Sequence, residues 1–233
     1  MNQNEIKALV GKSAVEKLVK SGMKLGLGTG STALPAVRHV GLLLKEGKLT
    51  NIKAVSTSLQ TSIECEKWGI PLYTLNSGEI GGRLDLAIDG ADEVDGRHWC
   101  TKGGGGALLI EKITAYASAS FCVVVDESKV VENLGLKFPV PLEVIPEARR
   151  TVTLTLEKMG AGVILREALR KAGPVITEHG NILLDITFKN PVNCEELETE
   201  CNRIPGVVEN GFFTRLRPVV FIGHSDGSVE IKQ

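Results

Sequence analysis

The five cysteines of this chain (65, 100, 122, 194 and 201) form no Cys-X-X-Cys pair and leave an odd count. That pattern fits reduced cytosolic thiols better than a disulfide framework. No apolar run approaches membrane-spanning length. The opening residues Met1-Asn2-Gln3-Asn4-Glu5 are polar and acidic, so no signal peptide is expected and the cytoplasm is the default compartment. Neither sign of charge dominates: the formal net charge is -1 and no basic cluster stands out, so nucleic acid is not an expected partner. The four histidines (39, 98, 179 and 224) are scattered without zinc spacing. Internal repeats and low-complexity segments are also absent. What remains is 233 residues, 42% of them hydrophobic, with the composition of an ordinary soluble globular chain and the length for one large domain or two small ones.

The first half alternates apolar strands with amphipathic helices. A helix over residues 5–20 ends at Ser21-Gly22, and a short strand over 23–28 runs into Thr29-Gly30-Ser31-Thr32. A helix with Pro35 near its start then continues to Gly47. Strand-like 52–56, helical 58–68, strand-like 72–75, then 84–88 and 121–126 continue the alternation. The last of these is apolar on both faces, as expected of a parallel strand covered by helices. The pattern predicts a doubly wound α/β sheet, with ligand sites beyond the carboxyl ends of its strands, where Thr29, Ser56, Asp89 and Asp126 all fall. Around residues 134–146 the texture changes, with Pro139, Pro141 and Pro146 close together. A helix at 147–159, strands near 163–166 and 182–186, and a helix carrying Cys194, Leu197 and Cys201 on one face follow. The expected organisation is a doubly wound domain from residues 1–135 plus 207–233, with a smaller α+β unit at 136–206.

Two stretches carry chemistry. Strand, glycine loop and helix start at Gly26–Thr32 make a ready anion site, because free N–H groups and the positive end of the helix dipole face the incoming group. The loop fails as a dinucleotide fingerprint: Ser31 stands where the third glycine belongs, and Ser56-Thr57-Ser58 replaces the ribose-binding acid. It also lacks the Gly-Lys-Ser/Thr ending of a nucleotide P-loop. Thr29, Gly30, Ser31 and Thr32 suit a lone phosphate, and the plain alternative is a tight turn with a helix cap. The second stretch starts with apolar residues delivering Asp89, continues through Gly90-Ala91-Asp92-Glu93, and reaches Lys102 and four glycines, Gly103 to Gly106, before a helix with Glu111. Buried carboxylates at a strand end are costly unless compensated. Asp89 and Asp92, with Glu93 or His98, could pair on a divalent metal, but Lys102 and a phosphate site balance the charge without one. An isolated helix glutamate is usually solvated, yet the glycine loop can place Lys102, backbone N–H groups and the Glu111 carboxylate around one small molecule. Lys129, just past the strand end at Asp126, can reach the same place.

Asp-Gly-Ala-Asp-Glu at 89–93, Lys-Gly-Gly-Gly-Gly-Ala at 102–107 and Glu-Lys-Ile at 111–113 together resemble the signature of type A ribose-5-phosphate isomerases. The likeness extends to Gly28–Thr32, Ser56-Thr57-Ser58, 137–144, Gly180-Asn181 with Asp185, and 204–211. It implies a Rossmann-like α/β domain with a ferredoxin-like α+β domain, in a homodimer or homotetramer. It also implies interconversion of D-ribose 5-phosphate and D-ribulose 5-phosphate in the non-oxidative pentose phosphate branch, with no metal or organic cofactor. By the resemblance Glu111 is the general base, and Asp89, Asp92 and Lys102 are the other catalytic residues. Lys7, Thr29, Gly30, Ser31 and Thr32 contact phosphate, while Gly90, Ala91, Gly103, Gly104, Gly105 and Lys129 bind substrate. Ile110 departs from the arginine that many relatives carry there, which concerns an outer contact rather than the base. A helix dipole and Lys102 lower the Glu111 pKa while Asp89 and Asp92 raise it, so sequence does not sign the shift. Two rival classes share this architecture: a non-enzymatic sugar-phosphate sensor, and a coenzyme-A transferase with a glutamate nucleophile.

Overall fold

A computed structural model describes all residues, 1–233. In chain order the elements are α1 (Gln3–Leu18), β1 (Lys24–Leu27), α2 (Leu34–Lys45), β2 (Lys53–Ser56), α3 (Leu59–Trp68), β3 (Leu84–Asp89), β4 (Glu93–Val94) and β5 (Cys100–Thr101). They continue with α4 (Leu108–Tyr116), β6 (Ser118–Asp126), β7 (Val140–Val144), α5 (Arg149–Lys158), β8 (Gly162–Leu165), β9 (Ile182–Thr187), α6 (Cys194–Asn202), β10 (Val207–Asn210), β11 (Phe212–Phe213), β12 (Val219–Gly223) and β13 (Val229–Lys232). No helix is long and apolar enough to cross a membrane. The chain divides into two units. One is Met1–Ala91, Ile110–Lys129 and Leu216–Gln233; the other is Asp92–Leu109 and Val130–Arg215.

The first unit is built on a six-stranded sheet in the order β13-β12-β6-β3-β1-β2. Its five strands from β12 to β2 run parallel, and only β13 is antiparallel. Read by appearance in the sequence, the parallel strands lie 2-1-3-4-5, one of the two common doubly wound orders. The order reverses between β1 and β3, which leaves a crevice at their carboxyl ends. Local chemistry sets the helices: Asn2 and Glu5 form a reciprocal capping box at α1, and Ser58 caps α3, which stops at Gly69 with φ 69°. Val10, Leu25, Leu27, Val37, Ile88, Val124 and Phe221 fill the core. Leu72–Leu75 does not form a sheet strand. After Pro71 only a single parallel bridge, Ala54 with Leu72, is made.

The second unit carries a four-stranded antiparallel sheet in the order β10-β7-β9-β8, with α5 after β7 and α6 after β9. This is a βαββαβ unit with strand order 4-1-3-2, the ferredoxin-like arrangement. Its core includes Leu142, Val144, Val152, Leu156, Leu184, Ile186 and Cys201. A further three-stranded sheet, β11-β5-β4, joins segments from residues 92–109 and 207–215 to this unit. The sequence pattern puts 92–109, 130–135 and 207–215 with the doubly wound residues; here β10 pairs with β7, and β4, β5 and β11 pair with one another.

Prolines mask β7, one of the two inner strands of the ferredoxin-like sheet. Pro141 is tolerated because its carbonyl, which accepts from Gly211 N–H at 2.8 Å, faces past the end of the β10 ladder. The N–H that proline lacks would point the same way, so no ladder bond is lost. The turn before β7 is anchored by Glu93. This carboxylate is 2% exposed and accepts N–H groups from Gly135 (2.6 Å), Phe138 (2.9 Å) and Lys137 (3.2 Å).

Glu93→Ala strands three backbone donors, and the expected loss is on the order of 3 kcal/mol of unfolding free energy. Urea denaturation measures it, with Glu93→Gln, which keeps one acceptor oxygen, losing less.

Candidate active site

The loop after β1 lies at the point where the strand order reverses. Gly28 is obligatory there, because a Cβ at this position would collide with the Asp89 carboxylate. Asp89, the last residue of β3 and 3% exposed, uses Oδ1 to accept Thr29 N–H at 3.0 Å and Gly90 N–H at 2.8 Å. One carboxylate oxygen thus ties the loop after β1 to the turn after β3. Helix α2 has no side-chain cap at its start; its first N–H groups turn back on the loop, Leu34 donating to the Gly30 carbonyl at 3.0 Å and Ala36 to the Ala33 carbonyl at 2.9 Å, and Pro35 has none. Lys7 reaches the loop from α1, its Nζ 2.8 Å from Ser31 Oγ. A cleft of about 640 Å³ borders Lys7 and Ser31 and is lined also by Arg38, His39, Leu42 and Trp68.

Behind the loop is a knot of hydroxyls. Thr29 Oγ1 donates to Ser58 Oγ at 2.7 Å and lies 2.6 Å from Thr57 Oγ1 and 3.1 Å from Thr61 Oγ1. Thr61 in turn donates to the Gly28 carbonyl at 2.7 Å. Thr29 therefore spends both its N–H and its O–H inside the protein, and what it supplies is loop shape. Ser31 and Thr32 keep the outward positions. Gly30, with φ 91°, has its N–H on Gln60 Oε1 at 3.1 Å. Neither Gln60 nor Thr61 carried a recognisable signal in the sequence.

Lys129 is half-buried in the short turn that follows β6. The turn is held from inside by Asp126, whose Oδ1 accepts Ser128 N–H at 3.0 Å and also the Ser128 hydroxyl. From outside, Glu127 meets His224 Nδ1 at 2.9 Å and accepts Ser225 N–H at 3.2 Å. The hydrogen bond to Glu127 raises the His224 pKa, aided by Glu230 beside it, and the same bond lowers the Glu127 pKa.

In the second unit Asp92 and the glycine loop are joined. Asp92 N–H donates to the Thr101 carbonyl at 2.8 Å, and Asp92 Oδ2 accepts Gly104 N–H at 2.7 Å. A Cβ on Gly104 would come within 2.5 Å of Asp92 Oδ1, whereas one on Gly105 meets nothing within 4 Å. Lys102 is 2% exposed; its N–H donates to the Gly211 carbonyl at 2.9 Å and its ammonium lies 5.7 Å from the centre of the Phe213 ring. Arg166, at the end of β8, was not read from the sequence. Its Nε donates to Asp185 Oδ2 at 2.8 Å, and its Nη1 donates to the carbonyls of Gly103 (3.1 Å) and Gly104 (3.0 Å). The one available signal was Asp185 within the apolar run 182–186, an acid in a strand that needs a cationic partner.

Glu111 lies in the first turn of α4 and is 6% exposed. Its carboxylate is drawn from bulk water at the helix end that favours negative charge. The alternatives raised for other residues do not gather. Glu93 is committed to the turn before β7. His98 sits at φ 65° in a turn organised by Asp95. No group of three or more His, Cys, Asp or Glu side chains is placed to hold a metal ion. All five thiols are buried, and burial pushes Cys65 up to about 12 and Cys194 to about 11, so neither suits a nucleophile.

The chain is similar to known proteins over nearly its whole length. The family model for ribose 5-phosphate isomerase A (phosphoriboisomerase A) matches residues 53–227. A ribose-5-phosphate isomerase A from Treponema denticola is 52% identical over 237 residues, covering 99% of each chain. The solved ribose 5-phosphate isomerase A of Methanocaldococcus jannaschii superposes with a TM-score of 0.91 at 44% identity, covering 99% of this chain and 100% of that one. A D-ribose-5-phosphate isomerase in complex with phospho-erythronic acid superposes at 0.95 with 38% identity, over 100% of both chains.

Two outcomes follow from the local geometry. Gly104→Ala lowers the thermal midpoint while Gly105→Ala leaves it unchanged, as differential scanning calorimetry would read. For His224 the folded pKa is raised, so its pairing stabilises fully below the ordinary value of about 6.5 and is lost as pH rises through the higher folded value. Chemical unfolding of the wild type between pH 6 and 8 therefore shows a falling component that His224→Gln lacks.

Proposed function

We infer the function from a plain premise, that this chain belongs to the ribose 5-phosphate isomerase A family. It is an aldose–ketose isomerase that interconverts D-ribose 5-phosphate and D-ribulose 5-phosphate, and not a sugar-phosphate sensor. The structural observation that supports the reading is an ammonium on the loop after β1: Lys7 Nζ stands 2.8 Å from Ser31 Oγ, 24 positions away in the chain.

Moving a carbonyl from C1 to C2 of an open-chain sugar needs a proton carried between adjacent carbons and an oxyanion held meanwhile. Glu111 takes the C2 proton; the C2–H electron pair forms the C1–C2 double bond, and the C1 carbonyl pair goes to oxygen. The resulting enediolate is stabilised by the Lys102 ammonium and by the glycine loop, where the Gly105 N–H is the donor and Gly103 and Gly104 set its direction. One such donor is typically worth about 3 kcal/mol. Glu111 then returns the proton to C1, while the C2 hydroxyl proton is transferred to the C1 oxygen, which leaves the C2 ketone. Asp92 and Asp89 are assigned to ring opening and to the hydroxyl protons. Support for Asp89 is its position beside Gly90 and Ala91 at the strand-order reversal. Lys7, Ser31 and Thr32 hold the phosphate, Thr29 and Gly30 shape their loop, and Lys129 binds substrate from the turn after β6.

The reaction as written calls for no metal and no organic cofactor. A homodimer or homotetramer in the cytoplasm is the assembly and compartment proposed, supported by the family resemblance and by five buried free thiols.

Glu111→Gln lowers kcat on the order of 10²–10⁴-fold while leaving affinity for phospho-erythronic acid within a few-fold. Steady-state kinetics and isothermal titration test both halves, and near-normal turnover removes Glu111 from its role. Incubation with a chelator leaves activity intact; inhibition reversed by added divalent metal overturns the cofactor-free chemistry.

A further inference from the structure

We propose that Arg166 is a positioning residue for the isomerisation, acting by aligning the peptide groups of the glycine loop toward the enediolate. The inference rests on the reading of that loop as the oxyanion site. Arg166 Nη1 takes two consecutive carbonyls, Gly103 at 3.1 Å and Gly104 at 3.0 Å. In a trans peptide the C=O of one residue and the N–H of the next point in opposite directions. Holding both carbonyls on one guanidinium nitrogen therefore sends the Gly104 and Gly105 N–H groups to the opposite side. The first of these arrives at Asp92 Oδ2, 2.7 Å away, which fixes that side as the one bearing a proposed catalytic carboxylate. With the Gly104 N–H taken by Asp92, the N–H that the Arg166–Gly104 contact aims at an oxyanion is that of Gly105, exposed at the loop tip.

Glycines alone would not hold this arrangement, because no residue type loses more backbone freedom on ordering. The Gly103 carbonyl also accepts Gly106 N–H at 2.8 Å, a turn that closes the loop without choosing the direction of the Gly104 carbonyl. Arg166 makes that choice. It is itself fixed: Nε donates to Asp185 Oδ2 at 2.8 Å and Nη2 to Asp185 Oδ1, a two-pronged pair in which each side chain is 18% exposed. Asp185 projects from β9, which is hydrogen-bonded on both edges, so the guanidinium is carried on a rigid strand rather than on another loop. Lysine lacks the planar fork that pairs with both Asp185 oxygens while a further nitrogen takes the carbonyls, so its ammonium would not be held in place.

Steady-state kinetics with ribose 5-phosphate, titration with phospho-erythronic acid and guanidinium rescue test the role. Arg166→Ala and Arg166→Lys lower kcat on the order of 10²-fold, leave KM within a few-fold, and weaken the analogue in step with kcat. Added guanidinium ion restores a measurable part of kcat in Arg166→Ala and none in Arg166→Lys, where the site stays filled. Lys102→Met, measured in parallel, separates the inference from the reading beneath it. A kcat loss in Lys102→Met with none in either Arg166 variant overturns the positioning role alone. Undiminished kcat in all three variants removes the glycine loop from the oxyanion site and the role of Arg166 with it.

Discussion

The carboxylate of Asp89 bonded to the backbone of Thr29 is the constraint on which the first unit depends. Parallel strands bring β1 and β3 side by side, but adjacency of strands does not fix the loops beyond them. A charged acceptor taking N–H groups from both loops does, and such charge-assisted bonds are roughly twice as strong as neutral ones. The approach is possible only because Gly28 has no side chain. The loop after β1 and the acidic turn after β3 are therefore one mechanical object, with the hydroxyls of Thr57, Ser58 and Thr61 as its backing. Loops fixed in this way need little further ordering when anything binds beside them, which spares the entropy that a floppy loop would lose.

The second unit solves the same problem with opposite charge. Four glycines give backbone access to a small ligand, and a guanidinium and a carboxylate restore the order that the glycines give up. Asp92 takes an N–H and Arg166 takes carbonyls, so the loop is held by its two kinds of polar group from two directions. Glu93 plays the corresponding part for the turn before β7. Neighbouring acids in one short motif thus have different duties, and what separates them is whether backbone donors already consume both carboxylate oxygens.

Much of this was legible in the residues. The alternation of apolar runs gave the parallel sheet, because strands covered on both faces leave a continuous hydrophobic signature. Thr29 to Thr32 read as an anion loop because strand, glycines and helix start are contiguous in the chain. Illegible were the features made by distant residues: the pairing of β4 and β5 with β11, the reach of Lys7 to Ser31, and the fork of Arg166 on Asp185. Two-residue strands carry no periodicity, and a long side chain reveals its partner only when the fold is complete. The prolines at 139 and 141 misled for a different reason. Proline argues against a central strand as a rule, and here its missing N–H falls beyond the neighbouring ladder. Thr29 shows the limit from the other side, since its hydroxyl suited a ligand on paper and the structure spends it on Ser58.

The burial of every thiol has a consequence for how the enzyme ages in a chemically harsh cell. At neutral pH a thiol held near 11 or 12 is ionised only about one part in 10⁴ to 10⁵, and it is the ionised form that peroxides and alkylating agents attack. Cysteine sulfur in this molecule is packing material, out of reach of electrophiles, so oxidative damage to it must wait for unfolding.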